Sequence, residues 1–405
     1  MELRAGYKIT DIGILPIDWE LKKLSELTSL ITNGFVGTVK SQYTESDDGV
    51  TYIQGYNVEE NSFNYRGIKK VTSEFHKLHL KSCLQEGDLL TIQTGDVGLT
   101  TIVPKELVGA NCHALIISRF KKEKSNPKYF SLYLNSNEGR ARLKEIEIGT
   151  TMKHINVGDM IHFLVPVPTK AEQTAIATAL SDTDALISSL EKLIAKKRNI
   201  KQGAIQKLLQ PKVGWEVKEL GEIGECIIGL TYKPENIKES GTLVLRSSNV
   251  QGNTLKYEDN VYVNSEIPKK LINKENDILI CVRNGSRDLI GKCALLTGRA
   301  IGETFGAFMS VFRSPFNEFV FILFQSEIIK KQIDEHLGAT INQITNKSLN
   351  SFEIPFPPIE EQTRIATILS DMDAEINALE TKLEKYKMLK LGMMQNLLTG
   401  KIRLV

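Results

Sequence analysis

Apolar residues spaced alternately three and four positions apart mark two long segments of the chain. Residues 172–209 contain no proline and one glycine, and a second segment after Pro358 repeats the pattern. A stripe sustained over four heptads predicts a helix with a coiled-coil seam, roughly 55 Å long at 1.5 Å per residue. Neither helix can bury its stripe alone, so we expect each to pair with the other. The stripe positions are Ile176, Leu180, Ile187, Leu190, Ile194, Ala204 and Leu208, then Ile365, Leu369, Met372, Ile376, Leu379, Leu383, Met393 and Leu397.

The two helical segments are copies of one another. Residues 166–210 align with residues 355–399 at a constant offset of 189 residues, without a gap, and about half of the 45 positions are identical. A repeat of this length is one supersecondary unit used twice. Lys201 and Lys390 occupy the same seam position, where a lysine either fixes the register or extends its ammonium to the seam edge.

Each helix has a marked beginning and end. Prolines enforce extended chain just before both helices. Thr169 and Glu172 have the spacing of a capping box, whereas the second copy has Pro358 in place of the threonine. Pro211 and Gly400 follow the two ends.

The segments before and between the helices have the pattern of mixed α+β domains. Short β-branched or aromatic runs alternate with turn residues. The predicted strands are 50–53, 88–92, 115–117 and 163–165 in the first insert, and 243–245, 277–281 and 309–312 in the second. Trp19-Glu20 matches Trp215-Glu216, Asn57-Val58 matches Asn249-Val250, and Gly149-Thr150-Thr151 matches Gly338-Ala339-Thr340, so the inserts are expected to share a fold.

The predicted fold class is therefore α+β with an internal pseudo-twofold repeat. Two domains, each a mixed sheet with helices, are joined by two long helices that form an antiparallel coiled coil. The predicted segments are a first domain at 1–165, a first helix at 166–210, a second domain at 211–354, and a second helix with its tail at 355–405.

Length and composition bound the class of protein. A chain of 405 residues with 41% apolar and 25% charged residues is expected to form two or three soluble domains. No apolar run has membrane-spanning length, and residues 1–8 lack the apolar core of a signal peptide. Five cysteines leave an odd one over, which favours a reducing, cytoplasmic setting.

Charge does not concentrate in either insert. Residues 1–169 carry 20 basic and 20 acidic side chains, and residues 213–358 carry 16 and 18. The net charge of +2 neither requires nor forbids a nucleic-acid partner. Any DNA-binding surface must come from local clustering.

The arrangement resembles the specificity subunit of type I restriction–modification systems. The resemblance covers the whole chain and rests on helices that open P-x-P-x-x-x-E-Q-x-x-I-A-x-x-L-S-D-x-D, each after a domain of about 150 residues. It implies a subunit that catalyses nothing and reads a split, asymmetric site in double-stranded DNA, one half per domain. It also implies two methyltransferase (modification) subunits as partners and, in the full complex, restriction subunits that translocate DNA. S-adenosylmethionine, ATP and Mg²⁺ would then belong to the partner subunits, and this chain would hold no cofactor and no metal.

Physical reasoning supports the same interpretation. Duplex DNA is nearly symmetric about a dyad, and a protein with two related units matches that symmetry. A rigid helical rod sets the distance between the two half-sites, so it would determine the number of unread base pairs between them. Similar helices suit two identical partners, and diverged inserts suit an asymmetric site.

Candidate DNA contacts are loop residues with suitable chemistry. Arginine commonly reads guanine, and asparagine or glutamine commonly reads adenine. Any one of them is more often a phosphate contact or a plain surface residue. The candidates are Lys40, Tyr56, Asn57, Gln93, Thr94, Lys153 and His154 in the first insert, in the stretches 54–57 and 152–154, and Tyr232, Lys233, Arg246, Asn249, Arg283, Asn284, Arg287, Asn342 and Gln343 in the second.

Candidate partner contacts come from polar residues that both helices repeat: Glu172, Gln173, Ser181 and Asp182, with Glu361, Gln362, Ser370 and Asp371. For the glutamates the alternative is a solvated first-turn acid favoured by the helix dipole, and this alternative is preferred. Serine and aspartate are poor residues within a helix, so their repetition favours a contact.

Two rival functions are an independent methyltransferase and a coiled-coil adaptor that binds only proteins. The methyltransferase is disfavoured because no glycine-rich cofactor loop follows a strand. Asn126-Pro127-Lys128-Tyr129 resembles a methyltransferase motif but is better explained as a capped helix start with proline at its first position. His76, His79 and Cys83 have a metal-like spacing that the second insert lacks, so a metal site is not expected there.

Overall fold

The chain forms two compact units. Unit 1 comprises Met1–Glu191 with Thr381–Val405, and unit 2 comprises Lys192–Glu380. The computed structural model describes residues 5–151, 153–337 and 342–404. Met152 and Gly338-Ala339-Thr340, which the sequence analysis used, lie outside the described residues. Each unit contains one insert and parts of both long helices, so the units cut across the four predicted segments.

Unit 1 contains thirteen strands and five short helices among its described residues, and one long helix begins in it. The strands are β1 (Tyr7–Thr10), β2 (Gly13–Pro16), β3 (Glu20–Lys23), β4 (Thr28–Asn33), β5 (Val50–Ile53), β6 (Val58–Glu59), β7 (Ser62–Phe63), β8 (Lys69–Val71), β9 (Leu89–Ile92), β10 (Thr100–Ile102), β11 (Asn111–Cys112), β12 (Leu115–Phe120) and β13 (Leu164–Val167). The helices are α1 (Leu24–Leu27), α2 (Ser73–Leu78), α3 (Pro127–Asn135), α4 (Asn137–Glu145), α5 (Val157–His162) and the long α6 (Lys170–Leu208).

Unit 2 contains twelve strands and four short helices among its described residues. The strands are β14 (Glu216–Glu219), β15 (Glu225–Ile228), β16 (Ile237–Lys238), β17 (Thr242–Leu245), β18 (Val250–Gln251), β19 (Thr254–Leu255), β20 (Tyr262–Val263), β21 (Ile278–Cys281), β22 (Cys293–Leu295), β23 (Thr304–Phe305), β24 (Met309–Arg313) and β25 (Glu353–Phe356). The helices are α7 (Leu220–Ile223), α8 (Asn317–Phe324), α9 (Glu327–His336), α10 (Asn346–Asn350) and the long α11 (Ile359–Leu397), which continues into unit 1.

The two units share the topology of their main antiparallel sheet. An antiparallel sheet runs in the order β10-β9-β12-β4 in unit 1 and β22-β21-β24-β15 in unit 2. In a second sheet, β11 pairs in parallel with β5, as β23 does with β17. The pairs β3–β13 and β14–β25 close each insert beside a long helix. The predicted shared fold is confirmed, and each predicted strand overlaps an observed one.

The core sheets carry matching buried ion pairs. Asp88 accepts hydrogen bonds from Arg119 at 2.8 Å in unit 1, and Asp277 accepts them from Arg313 at 2.6 to 3.3 Å in unit 2. Both aspartates are buried. Because an unpaired buried carboxylate is costly, the pairing ties each strand that carries the arginine to the turn before its neighbouring strand.

Both long helices are 39 residues long and run antiparallel where they meet within each unit. In unit 2, the ammonium of Lys201 lies 2.6 Å from Asp373. In unit 1, Lys390 lies 2.6 Å from Asp184. The two pairs are related by the offset of 189 residues, and both lysines are largely enclosed. Of the two alternatives for these lysines, their contacts favour the one in which they fix the register.

The seam departs from the predicted stripe near the end of each helix. Ile205 and Leu209 are buried where Ala204 and Leu208 were expected, and Met394 is buried in place of Met393. The helix period of 3.6 residues drifts from the 3.5 of a strict heptad, and here the helix ends pack into the insert cores. The remaining stripe positions are buried or half-buried.

The predicted capping box at the start of α6 is half correct. The hydroxyl of Thr169 accepts a hydrogen bond from the backbone N–H of Glu172 at 3.2 Å. The Glu172 carboxylate does not return the bond. It instead accepts from the indole N–H of Trp19 at 2.9 Å and from the guanidinium of Arg403 at 2.6 and 2.8 Å.

This cluster ties three distant parts of unit 1 together. Glu172 is 1% exposed and Trp19 is 0% exposed, and Arg403 lies over the indole ring and also binds Asp18 at 2.7 and 2.8 Å. These bonds raise the pKa of Arg403 and lower the pKa of Asp18. Gly400 approaches Trp19 with φ +70°, and a Cβ there would meet Pro16 at 2.5 Å, so this turn requires glycine.

The matching place in unit 2 is more open. Lys212 lies 2.6 Å from Glu361 and over the ring of Trp215, which is partly exposed. Arg364 also binds Glu361, and the two cations lower the pKa of this carboxyl to about 2. Among the described residues, no helix is both long and apolar enough to cross a membrane.

We predict that Arg403→Ala destabilises the protein by roughly 3 kcal/mol, because it leaves the Glu172 carboxylate buried without its cation. The measurement is urea unfolding followed by tryptophan fluorescence. Adding Glu172→Gln to this variant should restore part of the loss, since a neutral side chain needs no counter-charge. The matched variant Lys212→Ala in unit 2 should change stability much less, because its ion pair with Glu361 lies at the surface. Equal effects of Arg403→Ala and Lys212→Ala would contradict the distinction.

Candidate nucleic-acid interface

Three loops of unit 2 that carry predicted DNA contacts meet at one surface. Arg283 follows β21 and forms an antiparallel bridge with Gln343. The side-chain amide of Asn284 donates to the hydroxyl of Ser247 at 3.1 Å, and that of Asn342 donates to the carbonyl of Gly285 at 3.1 Å. The loops after β17 and β21 and the segment before α10 therefore form one polar cluster.

Tyr232 and Lys233 lie in the loop after β15, on a neighbouring part of unit 2. Gly306 forms a parallel β-bridge with Leu230. The ring of Tyr232 packs close to this glycine, because a Cβ atom added at Gly306 would lie 3.9 Å from it. Lys233 is exposed and lies 3.6 Å from Glu235, a weak surface pair.

Unit 1 repeats this geometry with different side chains. Thr94 follows β9 and bridges His154, as Arg283 bridges Gln343. The backbone N–H of Ile155 donates to Gln93 just as Ile344 donates to Val282. The loops that carry Thr94 and Arg283 are thus structurally equivalent in the two units.

The other candidates of unit 1 lie in separate exposed positions. Lys40 is exposed in a 3₁₀ turn. Tyr56 is 51% exposed, and its hydroxyl donates to the carbonyl of Gly67 at 2.7 Å. Lys153 is exposed and lies 3.4 Å from Glu147.

Two of the candidates are structural, so the prediction of DNA contacts at Asn57 and Asn249 is wrong. Both are 0% exposed. The Asn57 carbonyl accepts from the N–H of Gln54 and its amide donates to Asn64 at 2.9 Å. Asn249 makes the equivalent bonds at 2.9 and 3.0 Å. Both inserts have asparagine at this position, and the sequence could have indicated a structural role from that alone. Residues that read the two different halves of an asymmetric site should differ between the inserts.

The three arginines of the unit 2 candidates have different surroundings. Arg246 pairs with Asp259 at 2.9 Å, and Arg287 donates to the backbone carbonyl of Asp334 at 3.2 Å. The guanidinium of Arg283 instead lies 5.1 Å from the ring centre of Phe308, an exposed aromatic residue that the sequence analysis missed. A phenylalanine before a strand carries no distinctive local pattern.

The prediction of a partner surface fails for three of its residues. Glu172 is held in the cluster with Trp19 and Arg403. Gln173 is fully buried, accepting from the N–H of Asn126 at 2.8 Å and donating to Pro168 at 3.0 Å. Gln362 is buried and donates to Pro357 at 2.8 Å. The Glu172 result also differs from the preferred alternative, because this acid is not solvated.

The rest of the predicted partner surface is accessible. Asp182, Ser370 and Asp371 are exposed and Ser181 is half-buried. In unit 2, Ser370 and Asp371 border a cavity of about 340 Å³, which Phe321 of α8 and Gln325 also line. The carboxylate of Glu361 already forms ion pairs with Lys212 and Arg364.

The methyltransferase-like motif at 126–129 and the metal-like spacing of His76, His79 and Cys83 both have structural explanations. The side chain of Asn126 caps α3, with Pro127 at the first helical position, as predicted. His79 stacks on Phe75 with ring centres 4.2 Å apart. Within the described residues there is no group of three or more metal-ligating side chains.

One frame built twice, with different side chains on matching loops, defines a recognition protein with two modules. A family model for the type I restriction modification DNA specificity domain matches residues 16–202 and again residues 212–386. The chain belongs to this family. It is a specificity subunit with two recognition domains, which is the DNA-recognition and non-catalytic component of such systems.

Curated relatives agree with this assignment. The chain is 29% identical to the putative type I restriction enzyme MjaX specificity subunit of Methanocaldococcus jannaschii, over 98% of this chain and 97% of the relative. It is 28% identical to the EcoKI specificity subunit of Escherichia coli, over 47% and 42% of the two chains.

Solved structures share the fold at low sequence identity. The S subunit of a type I system from M. genitalium matches with a TM-score of 0.56 and 16% identity, over 98% of each chain. The HsdS subunit of Thermoanaerobacter tengcongensis matches with a TM-score of 0.52 and 17% identity, over 96% of this chain and 98% of that one.

Proposed function

We propose that this subunit reads a bipartite, asymmetric DNA site, with one half-site for each unit, and directs adenine methylation by two methyltransferase subunits. The observation that carries the proposal is the pair of equivalent bridges, Arg283 with Gln343 and Thr94 with His154. One backbone frame presents different polar side chains in the two units, which is what two different half-sites require.

The remaining loop candidates are proposed as further DNA contacts of the two units. In unit 1 they are Lys40, Tyr56, Gln93 and Lys153, and in unit 2 they are Tyr232, Lys233, Arg246, Asn284, Arg287 and Asn342. Most protein–DNA hydrogen bonds reach phosphate or sugar, so most of these residues fix position on the duplex and a few read bases.

The test is single-molecule methylome sequencing of cells that carry this chain with a cognate methyltransferase subunit. We expect a new two-part methyladenine motif. Replacing residues 16–165 with the equivalent domain of another family member should change one half of that motif and leave the other half unchanged. A change in both halves would contradict independent reading. No new motif despite a formed complex would favour an adaptor that binds only proteins.

We also propose that the paired helices set the number of base pairs between the half-sites. The ion pairs of α6 with α11 lie within one unit or the other, and the units divide the helices after Glu191 and after Glu380. Residues added at both places would lengthen both helices while leaving the contacts inside each unit unchanged.

We predict that inserting four helix-forming residues after Glu191 and four after Glu380 lengthens the spacer by one or two base pairs, since four residues add about 6 Å and one base pair spans about 3.4 Å. The sequences of the half-sites should not change. Inserting four residues in α6 alone should abolish methylation, because it misaligns the seam. An unchanged spacer in the double insertion, with methylation retained, would refute the ruler.

We propose that the methyltransferase subunits dock on the Ser181-Asp182 and Ser370-Asp371 surfaces. Their equivalence under the 189-residue offset gives each of two identical partners the same contact. Asp182 and Asp371 are exposed, and no ion pair in the described part of the chain occupies either carboxylate.

We predict that Asp182→Lys or Asp371→Lys reduces the assembly from two methyltransferase subunits to one, and that the double variant binds none. Mass photometry of the purified complex measures this directly. Ser188→Lys adds a charge to another face of α6 and should leave two subunits bound. If the double variant still carried two subunits, the docking surface would lie elsewhere.

A further inference from the structure

We propose that Arg283, supported by Phe308, reads a guanine in the half-site of unit 2, and this inference rests on the proposed function. Five of the other six arginines of unit 2 pair with a carboxylate or with the backbone of an acidic residue, and the sixth, Arg299, binds the hydroxyl of Tyr262 at 3.0 Å. Within the described residues, Arg283 is exposed and has neither a carboxylate nor a hydrogen-bond acceptor for its guanidinium.

The backbone around Arg283 is fixed on both sides. Its N–H and that of Val282 both donate to the carbonyl of Phe308 at 3.1 Å, and the residue bridges Gln343. The side chain therefore leaves a defined point of the surface, which reduces the conformational entropy lost on binding.

Phe308 is an addition to the shared frame. The backbone carbonyls of Cys112 and Phe305 accept equivalent hydrogen bonds, from the N–H groups of Phe35 and Leu230. Leu115 and Met309 make equivalent pairs with β9 and β21. Two residues lie between Cys112 and Leu115 in unit 1, whereas three lie between Phe305 and Met309 in unit 2. The extra residue is Phe308, which is 57% exposed.

The position of Phe308 explains its exposure. An exposed phenylalanine buries little and stabilises little, but this ring lies under the Arg283 guanidinium carbon at 5.1 Å. A cation held on a ring face keeps its N–H edge free, and that edge matches the O6 and N7 acceptors of guanine in the major groove. The equivalent residue in unit 1 is Thr94, which has no such edge.

The competing role for an exposed arginine is a phosphate contact. Lysine also binds phosphate, as a point charge, so a phosphate contact would not depend on an arginine fork or on a supporting ring. The Phe308 ring under Arg283 therefore favours a contact with the edge of a base, because there the geometry of the guanidinium fork determines which base is bound.

The experiment uses the complex of the full chain with its methyltransferase subunits. After the wild-type motif is known, methylation rates are compared for the cognate duplex and for duplexes with each base pair of both half-sites replaced. Arg283→Ala should lower discrimination by roughly 5- to 150-fold at one G·C pair in the half-site of unit 2, and at no position in the other. Arg283→Lys should retain affinity but lose most of this discrimination, and Phe308→Leu should lose part of it.

Arg299→Ala is the matched control, because Arg299 is an exposed arginine 4.8 Å from the ring centre of Tyr257 in another loop of unit 2. It should leave the motif unchanged. Circular dichroism and co-purification with the partner establish that each variant is folded and assembled.

Two outcomes would overturn the inference. Uniform weakening across all sequences, restored by Arg283→Lys and with a salt dependence reduced by about one phosphate contact, would identify a backbone contact instead. Unchanged discrimination in Arg283→Ala would exclude any reading role. In both cases the wild-type motif stands, whereas a wild-type complex without a bipartite motif would remove the proposed function as well.

Discussion

Two helices, each with an apolar stripe that it cannot bury alone, impose the constraint on which this fold depends. Their antiparallel pairing within each unit provides the missing surface, and the pairs Lys201–Asp373 and Lys390–Asp184 select one register among those that apolar contacts alone would allow. The helix starts are then fixed against the inserts, most firmly at Glu172, where Trp19 and Arg403 enclose the carboxylate. The loops inherit their positions from this framework, so a shift of the seam would displace both recognition surfaces.

The duplication separates what the frame requires from what recognition requires. The buried pairs of Arg119 with Asp88 and of Arg313 with Asp277 occur in both units, as do the asparagine turns at 57 and 249. Residues that are identical in both inserts hold backbone together, because both units need the same backbone. Residues at equivalent loop positions that differ in chemistry are available to read DNA bases. The clearest case is Arg283 of unit 2, whose equivalent in unit 1 is Thr94.

Much of the fold was accessible from the sequence, because its signals are local. The helical stripe, the prolines before each helix and the β-branched runs all act over a few residues, and the long helices and core strands follow from them. The site was less accessible. The burial of Glu172 depends on Arg403, 231 residues away. Asn249 and Arg283 have equally suitable chemistry for DNA, and burial alone separates them. The extra residue Phe308 can be identified only when the strands on either side of it are aligned with their equivalents in unit 1.

The discontinuity of unit 1 imposes an order on folding. Unit 2 is one continuous stretch, whereas unit 1 needs residues from 381 onward to complete its core, where Met394, Leu397 and Leu398 pack with the first insert. On the ribosome, the central stretch can reach its native contacts while the first insert still lacks part of its interior. Closing unit 1 spans an intervening 189 residues, and a prefolded unit 2 shortens the effective length of that loop. A defect in the central unit would therefore delay the completion of the first.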